Sequence, residues 1–389
     1  MKRLLLKDIL LNDRKTNILV EGNRFADIDA PASVADAETV ECSGKAILPA
    51  FYNTHTHAGM MFLRGGGDDM PLQKWLEEYI WPRENKMTAQ DIRRSNEFAV
   101  NEMVSSGSVF FNDMYFEIDQ AIETVAEAGI RAGIGITIME NHPKALLDSK
   151  IEFMRHFQDP TGGRIQLVIA PHSIYTVGAE RLKMSSRIAR ECGVKLHIHV
   201  SETFREVEDC IREHGCTPVK YLDSLGVLGP EVIAAHCVHV DREEWDILAE
   251  RGVTVSHCPC SNMKLGSGRF PYEMAIASGA RIALGTDSAS SNNNLDMREE
   301  MKFAALLAKV AGDPQLLPAK QVLEWATVNG ASAFDLKAGE IRNGFLADAI
   351  ILDLNNPRMQ PVISVESSWV YAADSSCISN VMCDGKFLI

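Results

Sequence analysis

The sequence predicts an α/β fold: a closed (β/α)8 TIM barrel with a small β-sandwich formed from both termini. Three observations carry that prediction. Eight apolar, β-branched runs recur through the middle of the 389 residues. Helix-like stretches separate them. The two ends break the pattern and read as short strands with turns. Near-continuous apolar runs suit strands buried on both faces, as a parallel sheet requires. Eight of them alternating with helices point to a closed barrel rather than an open doubly wound sheet. No GxGxxG follows the first run, which weakens a dinucleotide-binding alternative.

The N-terminal MKRLLLKDILLNDRK begins like a signal peptide, but Lys7 and Asp8 interrupt its apolar stretch. No apolar run elsewhere has the length of a membrane span, so a cytoplasmic protein is expected. NILVEGNRFADI and ETVECSGKAIL near the start, and GEIRNGFLADAIILDL and ISNVMCDGKFLI near the end, read as strands. Neither end alone buries much. Residues 1–48 and 338–389 are therefore expected to pair into one β-sandwich domain, with the barrel, 49–337, inserted between them.

The barrel runs follow in order: AILPAFYN from Ala46, SVFFNDMY from Ser108, RAGIGITIM from Arg131 and RIQLVIAPH from Arg164. Then come VKLHIHV from Val194, VIAAHCVHV from Val232, VTVSHCP from Val253 and RIALGTDS from Arg281. Between them, segments such as QAIETVAEAG and REEWDILAERG place apolar residues at helical spacing and end on glycine. RGGGDD, Arg64 to Asp69, reads as a mobile loop after the first strand.

Composition bounds the function. With 46% hydrophobic and 24% charged residues the chain can bury a sizeable core. A formal net charge of -14 argues against unaided binding to nucleic acid or an anionic membrane and says little about a small-molecule substrate, the partner expected from the strand-end residues below. The nine cysteines are scattered and read as reduced thiols. Cys258 and Cys260 are spaced too closely for a usual zinc pair.

Polar residues collect where barrel chemistry sits, at the C-terminal ends of the strands. The first strand ends in His55 and His57, which share a face because alternate strand residues point the same way. The fourth ends in His172. The fifth carries His197 and His199, followed by Glu202. The sixth ends around His236 and His239, the seventh in His257 and the eighth in Asp287. Seven of the eleven histidines lie at or just beyond a strand end.

A catalytic zinc wants three or four nitrogen or oxygen ligands and one open position. His55, His57, His199 and Asp287 supply them from the first, fifth and eighth strands. His197 shares its face with His199, and period alone does not choose between them; His199 lies nearer the mouth, so His197 reads as a core histidine. RIQLVIAPHS has no lysine to bridge a second ion, so one divalent metal is expected, with zinc favoured and iron(II) or manganese compatible with the same ligands. A cation there would lower the pKa of a water towards neutrality. Glu202 could carry a proton between that water and the substrate. His236 could orient the water and stabilise charge at the attacked centre. Asp287 could both bind metal and accept a proton.

The stretches PAFYNTHTH, APHSIYT, HIHVSET, AHCVH, SHCPCSNMKLGSG and LGTDSASSNNNLDM together resemble the amidohydrolase superfamily, in its order and over essentially the whole chain. The resemblance implies a distorted (β/α)8 barrel with a flanking β-sandwich from both termini. Within the superfamily the chain is similar to the branch that deaminates S-adenosylhomocysteine, methylthioadenosine and adenosine; PLQKWLEEYIWPRENKMT resembles that branch and its chlorohydrolase relatives. Carried over, Trp75 would contact the purine, Glu84 would hold ribose hydroxyls and His172 would help hold the substrate. The same resemblance implies hydrolytic deamination of an adenine-type ring with release of ammonia, and by analogy a homo-oligomer. Relatives that take S-adenosylhomocysteine place arginines after the third strand. Here MENHPKALLDSKIEFMRHF has Lys144 and Arg155 only loosely placed, which points away from the amino-acid tail. The rivals are the same machinery on guanine, cytosine or a chlorinated or aminated triazine, and a non-catalytic assembly module.

Overall fold

A computed structural model describes residues 2–310 and 312–389. The strands run, in chain order, β1 (Arg3–Leu11), β2 (Arg14–Glu21), β3 (Arg24–Asp27), β4 (Glu38–Glu41), β5 (Lys45–Pro49), β6 (Phe51–Thr56), β7 (Ser108–Tyr115) and β8 (Arg131–Ile138). They continue with β9 (Ile165–Pro171), β10 (Lys195–Val200), β11 (Val232–His236), β12 (Thr254–His257), β13 (Arg281–Leu284), β14 (Ala349–Asp353), β15 (Ile378–Cys383) and β16 (Lys386–Phe387). Strands β6 to β13 form one eight-stranded sheet in strict chain order, every neighbour parallel. All residues of β6, β7, β8, β11 and β12 are buried, as strands covered on both faces must be.

The ends of this sheet meet. A parallel bridge joins Thr56 to Asp287, and the Asp287 N–H donates to the His55 carbonyl at 2.9 Å. Gly285 permits that approach: a Cβ there would lie 2.8 Å from the His55 Cβ and 2.7 Å from Ser256 Oγ. Closure and site assembly are thus one event. The barrel is uneven, since β9 and β10 pair only at Lys195–Val168 and Leu196–Ile169, with Ser173 bridging His199 above them.

Helices cover the outside, capped as their sequences dictate. Ala89–Ser105 starts at a Thr88/Asp91 capping box and buries Ile92, Val100 and Met103. Ile118–Ala128 ends on Gly129 at φ 80°, and Arg242–Glu250 starts at an Asp241/Glu244 capping box. Each fully buried Ile or Leu contributes roughly 1.5–3 kcal/mol relative to exposure.

The terminal strands form a second, mixed eight-stranded sheet, β16-β15-β14-β5-β1-β2-β3, with β4 on β1. Its seam is the antiparallel β5–β14 pair, Pro49 against Ala349 to Lys45 against Asp353. The run AILPAFYN, read as one strand, divides there. β5 belongs to the terminal sheet; after Ala50 the chain enters the barrel, where the Phe51 N–H meets the Gly107 carbonyl at 3.0 Å. Under the barrel floor, Arg131 pairs with Asp348 at 2.9 Å and Asp384 at 2.5 Å, and Tyr52 donates to Asp348. All nine cysteines are free thiols. Among the described residues no helix is long and apolar enough to cross a membrane.

Candidate active site

The strand ends place His55, His57, His199, His236, Glu202 and Asp287 around one point. Nε2 of His55 and Nε2 of His57 each lie 3.4 Å from Asp287 Oδ1. Nε2 of His199 is 3.3 Å from Nε2 of His57. One ligand atom each from His55, His57 and His199 sits within 4.8 Å of the others, as does one each from His55, His236 and Asp287.

The hydrogen bonds at the far side of each ring decide what faces that point. His57 Nδ1 is 2.7 Å from the Met114 carbonyl and His199 Nδ1 is 2.6 Å from the His172 carbonyl. A carbonyl can only accept, so both rings carry their proton on Nδ1 and present a lone pair at Nε2. His197 Nδ1 likewise donates to the Ile233 carbonyl at 3.1 Å, leaving His197 Nε2 to accept. His55 Nδ1, 2.7 Å from it, must donate, so His55 Nε2 is a third inward lone pair. That Nε2 is buried and has no hydrogen-bond partner among the described residues. Three converging lone pairs beside a carboxylate repel one another unless a cation lies among them, and nitrogen and oxygen donors of this kind suit a divalent metal. The donor set therefore fits the metal the sequence implies, with His55, His57, His199 and Asp287 able to hold it.

Burial sets the charges. It works against the Asp287 carboxylate, but His55, His57 and His236 hold that carboxyl well below the usual range. Asp287 also accepts from Ser261 Oγ at 2.5 Å and the Ser288 N–H at 2.7 Å. Burial raises the Glu202 carboxyl, towards a form that can give a proton. Glu202 Oε2 lies 3.8 Å from His236 Nε2, and Ser267 Oγ donates to Glu202 Oε1 at 3.3 Å. His236 Nδ1 donates to Asn262 Oδ1 at 2.8 Å, which turns its Nε2 towards the site. Burial opposes the His236 cation, yet Glu202 and Asp287 raise its pKa.

Backbone strain gathers here. Ser201, His236, Cys237 and Asp287 all have φ between 49° and 72°. Each such residue costs about 1–3 kcal/mol and persists only where its surroundings over-determine it.

A cavity of about 1110 Å³ opens above the cluster. Trp75, Glu84 and His172 line it together with His57, His199, Glu202, His236 and Asp287. Trp75 is buried on a π-helical turn, Trp75–Ile80, between short α-helical pieces, a departure from the plain amphipathic helix that LQKWLEEYIW suggests. Glu84 accepts from Tyr115 Oη at 2.8 Å, and burial raises its pKa. His172 Nδ1 is 2.9 Å from Thr176 Oγ1.

Two of the strand-end histidines, His239 and His257, stand outside both the cluster and the cavity wall. His239 Nε2 meets the Ser267 carbonyl at 2.6 Å, and His257 pairs with Tyr272 Oη at 2.8 Å and stacks on Phe270. His197, read as a core histidine, is buried and paired at both nitrogens, but one partner is His55 itself. Ser261, Asn262 and Ser267 received no role from the sequence; their only signal is the polar run SNMKLGSG after the seventh strand.

Residues 46–388 match the family model described as Amidohydrolase family. A 5′-deoxyadenosine deaminase of Methanothermobacter thermautotrophicus is 43% identical over 382 residues, 97% of this chain and 90% of that protein. A 5-methylthioadenosine/S-adenosylhomocysteine deaminase of Archaeoglobus fulgidus is 41% identical over 376 residues, 96% of this chain and 89% of that protein. The crystal structure of an adenosine deaminase from Xanthomonas campestris with bound zinc superposes with a TM-score of 0.91 at 31% identity, covering 99% of this chain and 92% of that one.

Proposed function

The chain belongs to the amidohydrolase family, and from that premise we propose that it is a metal-dependent hydrolytic deaminase of an adenine-type nucleoside, releasing ammonia. The observation that carries this reading is the convergence of three imidazole lone pairs, the Asp287 carboxylate and the buried Glu202 at the base of a cavity walled by Trp75 and Glu84.

His55, His57, His199 and Asp287 would hold the metal, zinc in the first instance. Bound there, it supplies the Lewis acidity that makes water a nucleophile near neutral pH. Trp75 stacks against the purine and Glu84 accepts from ribose hydroxyls, while His172 helps to hold the ring. Glu202 gives its proton to the ring nitrogen next to the amino-bearing carbon, which makes that carbon electrophilic. Asp287 accepts the proton released from the attacking water. His236 donates towards the oxygen that becomes charged at the tetrahedral carbon. Asp287 passes that proton to the amino group, the hydroxyl proton of the tetrahedral carbon returns to Glu202, and collapse to the carbonyl breaks the C–N bond and expels ammonia.

The cavity wall narrows the substrate. Among the described residues lining it there is no lysine or arginine, while Glu117, Glu140 and Glu213 line it as well. Lys144 is engaged by Asp148 at 2.6 Å and Arg155 faces Glu191, so neither is placed to meet a substrate carboxylate. A neutral 5′ substituent, as in 5′-deoxyadenosine or methylthioadenosine, fits this wall better than the amino-acid tail of S-adenosylhomocysteine. Ammonia release by zinc-loaded enzyme on these three nucleosides, adenosine, guanine and cytosine tests the reading. The two neutral 5′-substituted adenosines should have the highest kcat/KM. Preference for guanine or cytosine overturns the nucleoside assignment.

A further inference from the structure

Glu206 has no part in the chemistry above, yet its carboxylate is buried and fully engaged. It stands at the third position of the helix Phe204–His214, whose N-cap Thr203 accepts from the Glu206 N–H at 3.2 Å. That is half of a capping box. In the two complete boxes of this chain the acidic residue bonds back to the N-cap residue itself: Asp91 to the Thr88 N–H at 3.0 Å and Glu244 to the Asp241 N–H at 3.0 Å. Glu206 reaches further. Its Oε1 accepts from the Ser201 N–H and its Oε2 from the Glu202 N–H, both at 2.9 Å.

Those two peptides are where the chain turns out of β10, with Ser201 at φ 50°. The Ser201 carbonyl in turn receives the Val238 N–H at 3.1 Å and the His239 N–H at 2.9 Å, which holds the strained turn through His236 and Cys237. One carboxylate therefore grips the backbone that links Glu202 to His236. We propose that Glu206 is a positioning residue for deamination: by clamping the Ser201 and Glu202 amides it fixes the Glu202 carboxyl against His236 and the substrate ring. This rests on the deaminase reading for its kinetic consequence, though the clamp itself does not.

The test compares full-length, zinc-loaded wild type with Glu206→Gln, Glu206→Asp and the control Glu244→Gln. Glu206→Gln places an N–H against an N–H. Its kcat should fall roughly 10²-fold, the cost of a displacement near 1 Å, with KM and zinc content close to wild type. Glu206→Asp keeps the carboxyl group but is one methylene short, and should fall between the two. Glu244→Gln should lower the thermal midpoint and leave kcat unchanged. Hydrogen exchange in the 200–206 segment should quicken in both Glu206 variants and not in Glu244→Gln. Wild-type kcat in the Glu206 variants, or a loss shared with zinc content and KM, overturns the proposal. Unchanged exchange at 200–206 overturns it even if the wild type proves inactive on every nucleoside, an outcome that retires the deaminase reading separately.

Discussion

At the scale of single residues, the site is governed by which ring nitrogen carries a proton. His55 offers a lone pair only because His197 accepts from its other nitrogen, and His197 accepts only because it donates to the Ile233 carbonyl. Replacing His197 by Phe removes the acceptor and lets the His55 proton move to the inward nitrogen. Zinc affinity, measured by competition with a chromogenic chelator, should drop by about 10–100-fold. Retention of wild-type affinity would show that the ligand face of His55 needs no partner. Glu202 makes a second residue-scale prediction. Glu202→Gln cannot deliver the proton, so kcat should fall by roughly 10²–10⁴ while zinc stays bound. Turnover near that of the wild type would remove Glu202 from the mechanism.

Elements decide how the cavity is walled. The glycine run after the first barrel strand, which reads as a mobile loop in the sequence, has its backbone against the π-helical turn. A Cβ on Gly67, at φ 71°, would sit 2.7 Å from the Tyr79 ring and 3.1 Å from Trp75 Cδ1. Lys264 fastens the same region, pairing with Asp68 at 2.6 Å and donating to the Ser290 carbonyl at 2.9 Å and Asn293 Oδ1 at 2.7 Å. It thus ties the loops after β6, β12 and β13. Gly67→Ala should push the Tyr79 and Trp75 rings aside. A several-fold rise in nucleoside KM with little change in kcat is the expected result of steady-state assays; an unchanged KM would mean that the turn does not set the substrate wall. The sequence shows three glycines and an aromatic helix here, but not that they touch, because that contact joins side chains to a backbone with no periodicity.

Over the whole molecule, the terminal sheet braces the barrel from the end opposite the site. Arg131 opens β8 at that end and meets Asp348 and Asp384 beneath it. Arg131→Met leaves the Asp348 carboxylate buried without its cation, which costs about 3–5 kcal/mol. The thermal midpoint should fall by several degrees while kcat/KM of the folded enzyme holds; a parallel loss of activity would mean that the brace reaches the mouth. Stability should also depend on pH through Glu300, which joins the loops after β12 and β13 by accepting from the Cys260 N–H and Asn292. Burial pushes its carboxyl from 4.5 up to about 8. A raised acid contributes full stability below its unfolded value and loses it as pH climbs through the folded one. The midpoint should decline across that window, and less steeply in Glu300→Gln. Equal slopes would assign the decline to other groups.

The sequence by itself determined the barrel, its eight strands and the polar residues at their ends. Hydrophobic period and strand direction are local properties, and a parallel barrel puts all its chemistry at one rim. It also placed His55, His57, His199 and Asp287 on three strands that closure must bring together. Only the tertiary structure decided the rest: that AILPAFYN divides between two sheets, that His197 orients His55, that His239 and His257 stand apart, and that Glu206 clamps the Glu202 backbone. Each depends on a hydrogen bond or contact between atoms distant along the chain or on the angle of a single turn. No spacing rule along one strand or helix encodes such a contact.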